Sequence, residues 1–453
     1  MTKEKCINRR KFIGDGAMIV GATSALPLYS FTNKKGGIAS SKTKLAIVGT
    51  GSRGITTWGK PVVDAYSDHV EFVALCDINP KRMAAAKLMM GVELKTYEAK
   101  DFDLMIQETK PDVVIVTTTD GFHEKYIIRA MELGCDVISE KPIAIEADQC
   151  QRIADAEVRT GRKIRVGFND RHTVDSMEIK KIIMSGELGK IMAIDFNEYL
   201  DTSHGADYFR RWHGKKAYSG TLLLHKASHH FDIVNWFVDA DPVDVQAVGK
   251  LSFYGHNNPF RGRNCRTCSF TAKCRFYWDM TKDKEAMNMY GNCEDVDNYY
   301  RDGCVWDNDI DIYDTSSVQV NYENGTQLTY TMQTVMPYEG QFIGFTCENG
   351  RLDVRLNKRQ PWEAPETEFR LTKDRETTKY WTMKAPAGGH GGSDERLKNA
   401  MFLPPEADPL GCKAGSRAGI MSSLIGIAAR QSIETGQKVK IADLIKFPRV
   451  WRG

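Results

Sequence analysis

The chain has 453 residues, 42% of them hydrophobic and 27% charged. That ordinary globular mix excludes a disordered, collagenous or polytopic membrane protein, and the length implies about two to three domains. The formal net charge is +3, and the first 25 residues carry all of it, with Lys3, Lys5, Arg9, Arg10 and Lys11 against Glu4 and Asp15. The remainder is neutral, so no basic surplus points to nucleic acid or to an anionic membrane surface.

The N-terminus reads as an address. Asn8-Arg9-Arg10-Lys11-Phe12-Ile13 is followed by a Gly/Ala-rich, mildly apolar stretch from about Gly14 to Leu28, with a small residue at Ala25. A charged start, a short apolar run and a small residue describe an export signal. The run is too short and too weak for a transmembrane helix. The paired arginines resemble a twin-arginine signal, which predicts a periplasmic protein exported already folded. A disordered basic tail is the plainer alternative. Residues 1–35 are therefore set apart as signal and linker. Removing them takes Cys6 away and leaves ten cysteines, of which Cys76, Cys135 and Cys347 sit in strand-like contexts. Those three read as small buried hydrophobes rather than a disulfide framework.

From 43 to 188 short apolar runs alternate with helical stretches. The predicted strands are Leu45–Val48, Val70–Cys76, Val113–Thr117, Asp136–Ser139 and Ile164–Phe168, rich in Val and Ile as strands buried on both faces are. Helices Glu124–Leu133 and Ala147–Arg159 fall between them. This alternation predicts an α/β fold whose first domain is a Rossmann-type, doubly wound parallel sheet. From 189 to 410 the grammar changes. A long strand, Lys190–Leu200, precedes a helix, Gly220–Val238. Strands follow at Val243–Phe253, Ser316–Tyr322, Thr326–Gln333, Gln341–Glu348 and Leu352–Arg355. Strands without intervening helices predict a second α/β domain with a large open, mostly antiparallel sheet. Residues 254–310 interrupt it with a Cys-, Asp- and aromatic-rich insertion, and 374–392 read as a polar connection. Residues 411–453 hold a closing helix, Ser416–Gly436, and a tail.

Gly49-Thr50-Gly51-Ser52-Arg53-Gly54 directly follows the first strand and opens a helix. In a dinucleotide fingerprint the first Gly makes the tight turn, the second admits the pyrophosphate and the third packs helix on strand. The phosphates then face a helix N-terminus. Asp77 ends the second strand, 23 residues after Gly54. A carboxylate there accepts ribose hydroxyls and repels a 2′-phosphate, which favours NAD, although Lys81 and Arg82 leave room for NADP.

Glu140-Lys141-Pro142 follows the fourth predicted strand. With the fingerprint, Thr117-Thr118-Thr119 and His123, Gly167-Phe168-Asn169 and Arg171, Gly186-Glu187-Leu188-Gly189, and the helix containing His225-Lys226-Ala227-Ser228-His229-His230-Phe231-Asp232, the chain resembles the Gfo/Idh/MocA oxidoreductases from about Lys44 to Leu444. The resemblance implies a Rossmann domain and an α/β domain whose open sheet builds a homo-oligomer interface. It implies Thr118, His123, Glu140, Lys141 and Asn169 as cofactor contacts beside the fingerprint, Lys141 as the catalytic lysine, and Arg171, His225 and Asp232 as substrate contacts. The family helix pattern is Asp-x-Gly-x-His-x-x-Asp. His229 matches its His and Asp232 its last Asp, whereas His225 stands in place of Asp and Ala227 in place of Gly.

The chemistry of the residues agrees. Oxidising a secondary alcohol sends a hydride to the nicotinamide while a base takes the hydroxyl proton. A histidine suits that base, with His229 first and His225 as substitute or supporting contact. The Lys141 ammonium can stabilise the developing alkoxide. On one helix, His225, His229 and Asp232 share a face. His230 points elsewhere and reads as structural, and Lys226 as an ion-paired or ligand-contacting lysine. The same helix face could instead bind zinc. In the insertion, Cys265-x2-Cys268-x5-Cys274 with Cys304 or Cys293 reads as a structural zinc site, as disulfides in an oxidising compartment, or as free thiols. Its aromatics, Phe276, Tyr277, Trp278, Tyr299, Tyr300 and Trp306, suit sugar stacking or a small local core. The function expected is an NAD-dependent oxidoreductase acting on a sugar, glycoside or cyclic polyol, with a small-molecule carbohydrate substrate, no nucleic-acid partner and self-association through the open sheet. The alternatives are a glycosidase using bound NAD for transient oxidation, and a non-catalytic NAD sensor. The glycosidase branch of the superfamily carries Tyr-Pro-Thr-His-Gly where this chain has Ala227-Ser228-His229-His230-Phe231.

Overall fold

The computed structural model describes residues 42–453 apart from 374, 376, 449, 450 and 452. The twin-arginine reading at Arg9 and Arg10 lies outside them.

Six parallel strands form the first sheet: β1 Thr43–Val48, β2 Val70–Asp77, β3 Lys95–Glu98, β4 Val113–Val116, β5 Asp136–Ser139 and β6 Ile164–Val166, in the order β3-β2-β1-β4-β5-β6. Helices cover both faces, which is why all four residues of β4, Val-Val-Ile-Val, are buried. The five predicted strands are present. Edge strand β3 was not predicted, because its sequence Lys-Thr-Tyr-Glu buries one residue and carries no apolar run.

The second sheet has nine strands: β7 Ile191–Asp201, β8 Pro242–Lys250, β9 Thr315–Tyr322, β10 Gln327–Met336, β11 Glu339–Cys347, β12 Gly350–Arg359, β13 Thr367–Lys373, β14 Thr377–Met383 and β15 Val439–Lys440. Their order is β14-β13-β12-β11-β7-β10-β9-β8-β15. Every pair is antiparallel except β7 with β10. Alternation explains its two faces: Ile194, Phe196, Leu328, Tyr330 and Phe345 are buried, while Asp195, Asn197, Thr329 and Thr331 point the other way. Part of the predicted connection 374–392 is strand instead. Phe369 on β13 stacks on Trp381 of β14 at 5.0 Å, beneath charged neighbours such as Glu368 and Arg370 that mask the period.

The predicted helix Gly220–Val238 is two helices, Leu222–His225 and Ala227–Val238, joined at Lys226. Thr221 precedes them at φ 149°, a conformation β-branched residues rarely adopt. Helix Ser416–Thr435 packs behind them, and Gly426 sits where a Cβ would come 2.5 Å from the Leu223 carbonyl oxygen.

The insertion makes its own core. Phe253, Tyr254, Phe276 and Trp306 pack edge-on or tilted, and Tyr254 stacks on Phe209 at 4.1 Å. Cys265, Cys268, Cys274 and Cys304 line one small cavity beside that core. All ten described cysteines are free thiols. Among the described residues no group of three or more His, Cys, Asp or Glu side chains is placed to hold a metal ion. This corrects the zinc expectation at Cys265, Cys268, Cys274 and Cys304, and the zinc alternative at His225, His229 and Asp232. The sulfurs find other partners: Arg210 donates to Cys265 Sγ at 3.6 Å and the Phe270 amide to Cys268 Sγ at 3.4 Å. Cys293 lies apart, against the Asn288 carbonyl. No described helix is long and apolar enough to cross a membrane.

Candidate active site

The carboxyl ends of β1, β4, β5 and β6 open into one cleft of about 1720 Å³, ample for a dinucleotide and a second small molecule. The first turn after β1 fits a nucleotide. Gly49 has φ +92°, and a Cβ there would lie 2.6 Å from the Thr117 backbone. A Cβ at Gly54 would lie 2.4 Å from the Gly49 oxygen. Gly51 by contrast would meet only the Tyr290 hydroxyl, at 3.5 Å, so its backbone is open to close approach. Gly49, Gly51, Ser52 and Arg53 line the cleft, whereas Thr50 is wholly buried behind it and Gly54 serves packing.

Asp77 also lines the cleft, but its carboxylate is already full. Oδ2 accepts the Thr50 amide at 2.6 Å and the Thr50 hydroxyl at 2.9 Å. Oδ1 accepts the Asn79 amide at 2.9 Å and Arg82 at 3.2 Å. Four donors saturate a carboxylate, so a ribose hydroxyl reaches it only by displacing one of them.

The loop after β5 carries Glu140 and Lys141. Glu140 accepts Arg53 at 2.6 Å and the Trp58 indole at 2.7 Å, and Arg53 reaches Asp394 at 3.7 Å. Lys141 Nζ donates to the His225 carbonyl at 2.6 Å. Burial pushes the Lys141 amine down to about 8, against the pull of Asp120 and Glu140. His225 Nδ1 lies 2.7 Å from Asp120 Oδ2. Burial raises the Asp120 carboxyl and, with Lys141 nearby, keeps His225 well below its ordinary value. His229 is neutral for the same two reasons, and its buried Nδ1 has no hydrogen-bond partner, with Asp170 Oδ1 3.9 Å away. Lys141, His225 and His229 therefore line one cleft.

Two predicted substrate contacts do not. Arg171 and Asp232 form a buried bidentate pair, both bonds 2.7 Å, with Arg171 also donating to the Gly411 carbonyl. Neither lines the cleft; each satisfies the other and ties the turn after β6 to helix Ala227–Val238. His123 lies between the Pro142 and Thr118 carbonyls, at 2.7 and 3.0 Å; burial favours its neutral form, whose single N–H can donate to one of them at a time, so the ring packs between the loops after β4 and β5. Thr118 and Asn169 line the cleft, and Asn169 donates to Asp394 at 2.7 Å. Lys226 is ion-paired, 3.5 Å from Glu198, and His230 binds the Tyr330 hydroxyl at 2.8 Å inside the second domain.

Several cleft residues carried no usable signal in sequence. Asp120 and Asp170 become notable only once they face His225 and His229. His213, stacked on Trp212 at 3.6 Å, lies 4.0 Å from the His225 ring. Its setting, Arg210-Arg211-Trp212-His213-Gly214, is a dense polar–aromatic run, the single sequence feature that marks this stretch. Asp394 comes from a helix remote in sequence. Of the insertion's aromatics, Phe276 and Trp306 belong to its core, Trp278 lies beside Arg210 and Arg301, and Tyr290, Tyr299 and Tyr300 reach the cleft.

Comparison with known proteins matches this architecture. Residues 43–168 match the profile described as oxidoreductase family, NAD-binding Rossmann fold, and 180–441 its C-terminal alpha/beta domain. A Bacillus subtilis protein named as oxidoreductase YteT is 32% identical over 427 residues, covering 90% of this chain and 99% of that protein. An inositol 2-dehydrogenase/D-chiro-inositol 3-dehydrogenase of Lactiplantibacillus plantarum is 28% identical, over 45% of this chain and 55% of its own length. Among solved structures, the aldose-aldose oxidoreductase of Caulobacter crescentus superposes with a TM-score of 0.60 at 16% identity, covering 88% of this chain and all of that one. The WlbA dehydrogenase of Bordetella pertussis gives 0.61 at 18% identity, covering 88% and 99%. At such identities these structures speak for the fold.

Proposed function

The chain belongs to the Gfo/Idh/MocA oxidoreductase family, and from that premise we propose that it oxidises a secondary alcohol of a sugar, glycoside or cyclic polyol, or reduces the matching ketone, using NAD. The observation that carries the reading is the convergence of Lys141 and neutral His229 in the cleft that the glycine turn opens. Relatives named as inositol dehydrogenases and an aldose-aldose oxidoreductase support a polyhydroxylated substrate.

A bound nicotinamide supplies the hydride acceptor. The chain's own groups handle the proton. Lys141, with its amine near 8, exchanges a proton with the substrate hydroxyl close to neutrality, where acid–base catalysis is most effective. His229, held neutral, offers a second acceptor and orients the hydroxyl. The Asp120–His225 pair keeps its proton within a 2.7 Å contact and leaves the His225 carbonyl to anchor Lys141 Nζ. Arg53, fixed by Glu140, presents positive charge beside the glycine turn, where an anionic pyrophosphate belongs. Mass spectrometry of nucleotide carried by the purified protein, followed by a carbohydrate and polyol panel scored for keto product, tests the proposal. NAD-dependent keto product is expected. A released aglycone, or no product with NAD bound, overturns it.

Export and self-association belong to the same reading. The Arg9-Arg10 segment motivates export, and retention of Arg9→Lys/Arg10→Lys protein in the cytoplasm would support it. The open face of the nine-stranded sheet is polar, with Asn197, Thr329, Thr331 and Arg351, so association through it would be wet and salt-sensitive.

A further inference from the structure

The insertion reaches back across the cleft to the nucleotide-binding turn. The Ser52 amide donates to the Tyr290 hydroxyl at 2.8 Å. Beyond β2, Asn79 donates to the Cys293 carbonyl and to Asp297, both at 2.9 Å. Arg82, in the helix after β2, is the cation best placed beside Asp77 to meet a 2′-phosphate. It is buried and fully engaged. Its Nη2 bonds Asp297 at 2.6 Å, its Nη1 bonds Asp77 at 3.2 Å and its Nε donates to the Met289 carbonyl at 3.3 Å. Its guanidinium also lies 5.5 Å from the centre of the Tyr290 ring. Lys81, the other nearby cation, pairs with Asp295 of the same acidic turn at 2.6 Å.

We propose that Asp297, supplied by the insertion, is a specificity-determining residue that selects NAD over NADP by holding Arg82 between two carboxylates. The inference rests on the reading of the cleft as a nucleotide site. A 2′-phosphate entering beside Asp77 would face two carboxylates and a guanidinium with no face to spare. A free 2′-hydroxyl carries no such charge. Asp297 is itself well seated: Oδ2 takes Arg82 and Asn79, and Oδ1 accepts the Tyr299 amide at 3.2 Å. Nucleotide preference would thus be written jointly by the Rossmann domain and a segment more than 200 positions away in sequence.

The test is calorimetric titration of the nucleotide-depleted full chain with NAD+ and, separately, with NADP+. It is run on wild type, Asp297→Asn, Arg82→Ala and the double variant. Asp297→Asn keeps the shape and removes the charge; Asp297→Ser serves if the amide does not fold. Wild type is expected to prefer NAD+. Asp297→Asn should bind NADP+ about ten- to a hundredfold more tightly, the scale of one freed charge-assisted contact, while NAD+ affinity moves little. The double variant should lose that gain, since Arg82 is what Asp297 restrains. Unchanged NADP+ affinity in Asp297→Asn and Asp297→Ser, or a gain that survives loss of Arg82, overturns the proposal while leaving the nucleotide site intact. Wild type that binds neither nucleotide overturns the site and the proposal together.

Discussion

In the proposed function Lys141 handles the substrate proton, and its environment makes a signed prediction. Burial holds its amine near 8 rather than in the ordinary lysine range. Above that value the amine is free to take a proton; below it the ammonium can give one. Alcohol oxidation should therefore rise as pH increases through about 8, and ketone reduction should fall over the same interval. His229 titrates well below neutrality and adds no limb there. Lys141→Ala should lower turnover by about two to four orders of magnitude and abolish the limb, with bound nucleotide retained. A pH–rate profile beside a nucleotide assay checks both; an unaltered limb in Lys141→Ala assigns it to another group. Arg171 and Asp232 make the opposite case. Both looked like ligands in sequence because they lie in motifs that hold ligands, yet they bind each other out of the cleft. Asp232→Ala would strand a buried guanidinium at a cost of about 3–5 kcal/mol. A large drop in denaturation midpoint is expected, with KM unchanged in whatever protein remains folded. A KM effect without destabilisation would return Asp232 to the site.

At the scale of elements, the glycine turn was legible because its three glycines each answer a separate steric demand. Gly54→Ala would press a methyl group into the Gly49 oxygen at 2.4 Å, so the loop or the following turn must shift. Nucleotide affinity should fall at least about tenfold, with the fold retained by circular dichroism. Gly51→Ala meets only a hydroxyl at 3.5 Å, so any loss there would come from the ligand's own approach. The strands of both sheets were readable wherever Val, Ile or clean alternation spelled them out. Strand β3 and the β13–β14 hairpin were not, because charged residues occupy their exposed positions and the burial that stabilises them comes from neighbours. The His225–Asp232 segment was readable as helical, but its break at Lys226 was not. That break follows from seating Lys226 against Glu198 while the His225 carbonyl turns to Lys141. The insertion was legible as an insertion and misleading as chemistry. Four cysteines in a short span suggest metal, but here they border an aromatic core as thiols.

At the scale of the whole molecule, the cleft is assembled from segments that sequence order keeps far apart. The turn at Gly49–Gly54, the insertion at Tyr290 and Asp297, and the helix beginning at Ser393 meet through the Ser52–Tyr290, Arg82–Asp297 and Asn169–Asp394 contacts. No local pattern announces such an assembly, which is why Lys141 and His229 were readable as candidates and the surrounding wall was not. The arrangement predicts that a nucleotide stabilises more than the domain that carries the fingerprint. Occupancy at a hundred times Kd adds about 2.7 kcal/mol to the folded state. Hydrogen exchange with and without NAD should show slower exchange in three separated stretches: the turn after β1, the insertion around 289–299 and the helix Ser393–Phe402. Amides on the far edge strands, such as β14, should be unmoved because they share no contact with the cleft. Protection confined to the Rossmann domain would mean that the insertion and the Ser393–Phe402 helix merely lean on the site. Protection at all three would establish that one ligand steadies the whole wall, which is then coupled to the fingerprint in the bound state.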